Sequence, residues 1–304
     1  MLEIVFLGTG SGIPTKRRNH PAIWLRYEGE YFLWDCGEGT QRQLTLAKIS
    51  FMRINRIFIT HWHADHWAGL IGLMQTMNLE RRKEPLYIYA PEAERFVGDI
   101  LDLDYWGPRF KIVPVDVPYE GEEEKIIYKT GQFHISSIPV NHTVPAVAYC
   151  FKENDSWNVD MKKAGKYGLR QGPLVGKLKD KGEIEFKEKK IKLEEVGVLK
   201  SGSKVVYSGD TKKCDTLIKL AKQADLLIHD STFGEDMEEE GKKPMHTGAK
   251  EAALAAKQAG VKKLILTHFS RRYADVRPLG EEAKKIFPNT EIAEDFVRIK
   301  LKRT

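Results

Sequence analysis

The run THWHADHWAG at residues 60–69 constrains this chain more than any other feature. His61, His63, Asp65 and His66 follow the β-branched run INRIFIT and lead into an amphipathic stretch, Ala64–Met77. That order reads as a buried strand, a tight turn and a helix, with three imidazoles and a carboxylate at one strand end. Both groups are good zinc ligands, and near neighbours lose little loop-closure entropy in converging on an ion. His61 and His63 can face one metal while Asp65 and His66 face another. Trp62 and Trp67 flank the donors, which suggests a site built into a wall. Two ions need more than four ligands, and later strand ends offer His142 in PVNHTVP, Asp210 in YSGDT and His268 in LTHFS. A carboxylate such as Asp210 can bridge two ions about 3.5–4 Å apart.

Strand-like runs recur along the chain: EIVFLG, AIWLRY, YFLWDC, LYIYA, KVVYSG, DLLIHD and KKLILTH. Between many of them lie helical stretches, expected over Glu92–Leu103, Thr247–Gln258 and Gly280–Phe287. This is an α/β pattern, with hairpin-like pairs early and strand–helix alternation later. The polar residues that stand out follow strands, where loops present side chains from a rigid scaffold. Residues 152–196 break the pattern with lysines, glycines and little periodicity. They read as a basic, partly mobile arm inserted into a core formed by 1–151 and 197–304.

With 304 residues, 41% hydrophobic and 30% charged, the chain has the profile of a soluble globular protein. No apolar run approaches the ~18 residues of a membrane span, and the N-terminal apolar stretch has no basic region before it. Cys36, Cys150 and Cys214 form no close pair, so the expectation is a reduced, cytoplasmic protein without membrane attachment. The net charge of +6 is unevenly spread: residues 161–181 carry seven Lys/Arg against one acid, Asp180. With Lys16, Arg17 and Arg18 near the N-terminus, this favours a polyanionic partner. The glycines of GTGSG lack the Lys-Ser/Thr of a P-loop and a following helix, so no nucleotide cofactor is expected.

The H-x-H-x-D-H run with later His, Asp and His resembles the metallo-β-lactamase superfamily and, within it, the ribonuclease Z family over essentially the whole chain. FLGTGSGIPTKRRN resembles that family's opening, with a P-x-K-x-R-N loop at Pro14, Lys16, Arg18 and Asn19. WDCGEGTQRQL at 34–44 is similar to its second block, HFSRRY at 268–273 to its C-terminal block, and Gly172-Pro173 lies in a basic insertion like its tRNA-binding arm. Two blocks depart from the family. HDST places Asp230 where glutamate is usual, and HTG keeps His246 but not the following serine.

The resemblance implies an αββα sandwich, two mixed sheets flanked by helices. It also implies two Zn²⁺ per subunit: His61, His63 and His142 on one, Asp65, His66 and His268 on the other, and Asp210 between. A histidine rather than glutamate at position 63 argues against the di-iron oxidoreductases of the superfamily. The implied activity is endonucleolytic removal of the 3′ trailer of precursor tRNA, by a homodimer in which one subunit's arm clamps tRNA at the other's site. Asp65 would orient the nucleophile, His246 serve as general acid and Asp230 orient His246. Lys16, Arg17, Arg18, Asn19 and Arg272, with Gly172 and Pro173 in the arm, would bind substrate. His20 and His229 are expected to be structural and His134 an ordinary strand residue. The rivals are another phosphodiesterase or small-ester hydrolase of the superfamily, and an RNA-binding module without catalysis. A basic arm argues against the first, and the cost of maintaining buried, unused donors against the second.

Overall fold

In the first strand, β1 (Leu2–Gly8), successive side chains enter different cores: Val5 and Leu7 one, Ile4 and Phe6 another. A strand buried on both faces reads as a continuous apolar run, which is what EIVFLG is. The computed structural model describes residues 1–103, 107–237 and 245–302. Strand β1 belongs to a seven-stranded sheet with β2 (Ala22–Tyr27), β3 (Glu30–Trp34), β4 (Arg56–Phe58), β5 (Leu86–Ala90), β6 (Ile112–Asp116) and the C-terminal β18 (Arg298–Leu301). The order is β18-β1-β2-β3-β4-β5-β6, antiparallel as far as β3 and parallel from β3 to β6.

A second seven-stranded sheet repeats the plan. It holds β7 (Lys125–Lys129), β8 (Phe133–Pro139), β9 (Val147–Glu153), β14 (Lys204–Tyr207), β15 (Leu226–Asp230), β16 (Leu264–Thr267) and β17 (Thr290–Ile292). Its first four strands pair antiparallel and its last four parallel, sharing β14. The inner faces meet in an aromatic core of Phe32, Phe58, Phe133, Tyr149, Phe151 and Tyr207, with Trp34 stacked on Tyr207 at 5.8 Å. Helices α1 (Thr40–Leu46), α3 (Gly69–Leu79) and α4 (Ala93–Asp102) cover the outside of the first sheet. On the second lie α8 (Asp215–Ala221), α9 (Ala249–Ala259) and α10 (Arg277–Lys284), whose alanines let α9 pack close. The αββα sandwich expected from the sequence is the architecture observed. Among the described residues no helix is long and apolar enough to cross a membrane.

Two helices differ from their expected spans. The stretch from Ala64 is split into α2 (Ala64–Trp67) and α3, because the Gly69 amide donates to Cys36 O rather than continuing the ladder. A Cβ at Gly69 would lie 2.1 Å from Gly37 O, so only glycine admits this contact. Helix α10 begins at Arg277, three residues before the expected start, with Pro278 in its first turn, where a missing N–H costs nothing.

The basic insert is made of short elements. Strand β10 (Ser156–Val159) pairs with β13 (Gly197–Lys200), Ser156 opposite Lys200. Between them come α5 (Met161–Lys166), α6 (Pro173–Lys181), the hairpin β11 (Glu183–Phe186) and β12 (Lys189–Lys192), and α7 (Leu193–Val196). Ala164, Leu169, Leu178, Ile191, Leu193 and Val196 form a small core of their own, with Trp157 against it. The ladder ends four residues beyond the expected limit at 196. Lys152 and Glu153 lie in β9, where Glu153 accepts hydrogen bonds from Tyr27 Oη (2.5 Å) and Ser203 N (3.0 Å).

Candidate metal centre and cleft

The two sheets bring their strand ends together at one rim of the sandwich. After β4 the chain turns through Thr60 and His61 into α2, while the chain leaving β14 runs through Ser208 to Gly209 and Asp210. Gly209 has φ +58° and a Cβ there would sit 2.8 Å from the Thr60 side chain, so its small size admits Asp210 to the histidines.

Two donor groups result. His63 Nδ1 lies 3.1 Å from His61 Nε2 and 3.0 Å from His142 Nε2. Beside them, His66 Nε2 and His268 Nε2 are 3.3 Å apart, each 3.2 Å from a different oxygen of Asp210, and Asp65 Oδ2 is 3.6 and 3.4 Å from them. Asp210 Oδ2 also lies 3.7 Å from His61 Nε2, which makes it common to both groups. The structure thus brings together all seven residues singled out from the sequence as metal donors.

The arrangement fits metal cations. One proton cannot serve the three imidazole nitrogens that meet at His63, and Asp210 Oδ1 is buried yet accepts no hydrogen bond from the described residues. Charge points the same way. Burial opposes a charge on His268, but Asp210 and its neighbours outweigh it and raise the imidazole to about 10. Burial likewise opposes a charge on His66, and Asp210, Asp35 and Asp65 together hold it well above its ordinary value. In the all-histidine group burial prevails and holds His61 well below its ordinary value. Buried carboxylates that force protons onto imidazoles form a site in demand of positive charge.

Three of the donor rings, His61, His66 and His268, are held from behind. Asp35 Oδ2 accepts from His66 Nδ1 at 2.7 Å and from Tyr207 Oη at 2.7 Å, while Asp35 Oδ1 accepts from Thr60 N. Thr60 Oγ1 is 3.0 Å from His61 Nδ1, and Thr232 Oγ1 is 2.8 Å from His268 Nδ1. Such bonds fix ring orientation and tautomer. Sequence reasoning missed these three residues. Asp35, in the block WDCGEGTQRQL, was the one with a visible signal, an acid following an apolar strand.

Asp230, at the end of β15, is fully buried. Its Oδ2 meets His246 Nδ1 at 2.9 Å and its Oδ1 accepts from Thr232 N and Oγ1. Burial works against the charge of His246, but Asp230 and Asp210 outweigh it and raise its pKa. Two residues separate His246 from α9, and Gly248 occupies the cap position, so His246 does not cap the helix.

His63, Asp65, Asp210 and His268 floor a cleft of about 400 Å³, whose walls include Ser11–Ile13, Phe233, His246, Arg271 and Arg272. Lys16 and Arg17 are exposed on the neighbouring loop. Arg18 does not project with them: its guanidinium donates to Thr9 Oγ1 (2.6 Å) and Ala293 O (2.7 Å) and lies over the Phe269 ring. Asn19 likewise ties loops together, through Glu38 O and Asp295. Both therefore act on the loop's shape. Gly172 and Pro173 open α6 in the arm and do not line the cleft. His20 and His229 are buried and His134 lies in β8, as expected.

An αββα sandwich with clustered histidines and aspartates at the strand ends defines a protein of the metallo-β-lactamase class. A family model described as beta-lactamase superfamily domain matches residues 194–269, and one described as anti-Pycsar protein Apyc1 matches residues 2–101. Ribonuclease Z of Methanothermobacter thermautotrophicus is 42% identical over 99% of this chain and 97% of its own length. That of Thermococcus sibiricus is 43% identical with the same coverage. The crystal structure of the short form of human tRNase Z aligns with a TM-score of 0.73 and 29% identity, over 99% of both chains. The chain belongs to the ribonuclease Z family.

Proposed function

We propose that this chain is an endoribonuclease that removes the 3′ trailer of precursor tRNA. It cuts 3′ of the discriminator nucleotide and leaves a tRNA 3′-hydroxyl and a trailer 5′-phosphate. The observation that carries this reading is Asp210, shared by two donor groups in the same cleft that presents His246 on Asp230. Relatives named ribonuclease Z match over nearly the full length, and the basic insert suits a polyanionic substrate better than a small ester does.

His61, His63 and His142 would hold one ion and Asp65, His66 and His268 a second, with Asp210 shared, and this donor set suits two Zn²⁺. Bound there, such ions would polarise a phosphoryl oxygen and make water acidic enough to act as a nucleophile near neutral pH. Asp65, partly open to the cleft, accepts a hydrogen bond from the incoming water and aims it. As water adds to phosphorus, the bond to the discriminator ribose 3′-oxygen breaks. His246 gives that oxygen a proton from Nε2, and Asp230, engaged with Nδ1, keeps the ring turned to do so. Lys16, Arg17 and Arg272 hold phosphates on the trailer side. The arm grips the body of the tRNA bound at the other copy of a homodimer.

The test is cleavage of a precursor tRNA bearing a 3′ trailer, with metal content measured on the same preparation. Release of the trailer as a 5′-phosphate by protein carrying close to two zinc ions is expected. A metal-replete protein that cleaves small phosphodiesters but no precursor tRNA would sink the reading.

A further inference from the structure

Beside the metal cleft, and sharing Phe233 and His246 with it, lies a second cavity of about 420 Å³. The Phe233 ring stands edge-on to the His246 ring at 6.3 Å. Leu254 of α9 lines the cavity, as do Glu235, Glu251 and Glu282. Glu235 is paired with Lys250 (2.5 Å), and Glu282 accepts from the Lys250 and Glu235 amides. Glu251 is half-buried and has no hydrogen-bond partner among the described residues. Three carboxylates against Lys212 and Lys250 make this a poor place for a phosphate. The opposite wall of the cleft, with Arg271 and Arg272, is a good one. An aromatic face, an apolar side and a carboxylate acceptor that no described residue engages suit a nucleobase carrying an amino group.

Its position says which base. A group that protonates the leaving 3′-oxygen must stand next to the nucleotide bearing that oxygen, and His246 is the wall between cleft and cavity. We infer that the cavity receives the base of the nucleotide immediately 5′ of the cut, stacked on Phe233, with Glu251 accepting from an exocyclic amino group. This rests on the endonuclease reading and on His246 as proton donor.

The test measures kcat/KM on full precursor tRNA with the natural base, an abasic residue 5′ of the cut, or an abasic residue 3′ of it. In the wild type the 5′ abasic substrate should be slower by about 5- to 150-fold, the usual range for one stacked base. In Phe233→Leu the ratio of natural to 5′ abasic substrate should collapse towards one, whatever the overall rate, while the 3′ ratio stays as in the wild type. Glu251→Ala should abolish a preference for adenine over uracil 5′ of the cut. An unmoved 5′ ratio in Phe233→Leu, or a moved 3′ ratio instead, overturns the assignment while leaving the endonuclease reading intact. A retained adenine preference in Glu251→Ala overturns the role of the carboxylate. If the wild type cuts no precursor at all, both the reading and the inference fall.

Discussion

At the rim of the sandwich His61, His66 and His268 are each held twice, once by the strand end that carries the ring and once by a buried partner behind it. In the arm at 156–200, four short strands and three short helices lean on six small and medium side chains. The rim is over-determined and buries charge; the arm is thinly cored and displays charge. Local opening is easiest where few apolar contacts must be broken, so opening is expected in the arm before the rim. On the proposed reading, a site that must hold donors to a few tenths of an ångström and an arm that must follow a large polyanion have different needs. The molecule meets them in separate places.

The sharpest way to break this contrast is at the rim. Asp65→Ala should remove metal and turnover together, by roughly 10⁴-fold or more, the scale on which members of a concerted group fail. Near-normal turnover would show that the donors do not act as one site. His246→Ala should slow precursor cleavage by about 10²- to 10⁴-fold at unchanged metal content. A substrate with sulfur in place of the bridging 3′-oxygen should recover most of that rate, since sulfur leaves without a proton. Equal defects on both substrates would make His246 a positioning residue.

The arm should fail more gently and only for large substrates. Because Ser156 and Lys200 face each other across the ladder, 157–199 can be replaced by an Asn-Gly turn that closes the pair. Precursor cleavage should drop on the order of 10²-fold, as when one of two linked contacts is lost. The salt slope of binding should flatten by roughly 0.7–0.9 per lost phosphate contact. Hydrolysis of bis-p-nitrophenyl phosphate should persist, and its loss would mean that arm and rim are not separable. Smaller still, Asp35→Asn should weaken metal binding about 10- to 100-fold by releasing His66, with the fold intact by circular dichroism. Least of all, Leu178→Ala costs the arm about 2–5 kcal/mol locally. Hydrogen exchange should then rise in 156–200 and stay unchanged at the rim.

What could be read from the sequence follows the same divide. The donors were legible because His61 to His66 are contiguous and the distant ones follow apolar strands, so residue type and position agreed. Asp35 showed only its place after an apolar strand, since its role depends on a ring 31 residues away. Arg18 was misleading: basicity put it with Lys16 and Arg17, while its bond to the Ala293 carbonyl depends on the end of the chain. The arm looked irregular because elements of four to nine residues are too short to show a period. Its hairpin turn, Lys187-Glu188, takes positive φ at both positions without the usual Asn-Gly.

The chain's last strand has a consequence for synthesis. His61 to His66 come from the first sheet, but His142, Asp210 and His268 come from the second, and β18 returns to pair with β1. Asp295, just before β18, accepts from Thr9 and from the Asn19 amide beside the cleft. A growing polypeptide that has reached residue 260 already displays its most conspicuous histidines, yet it lacks the donor that completes the second group. It also lacks the strand that closes the first sheet. A polypeptide that holds only part of the donor set is a blade without an edge, so cutting waits on the joining of the two sheets.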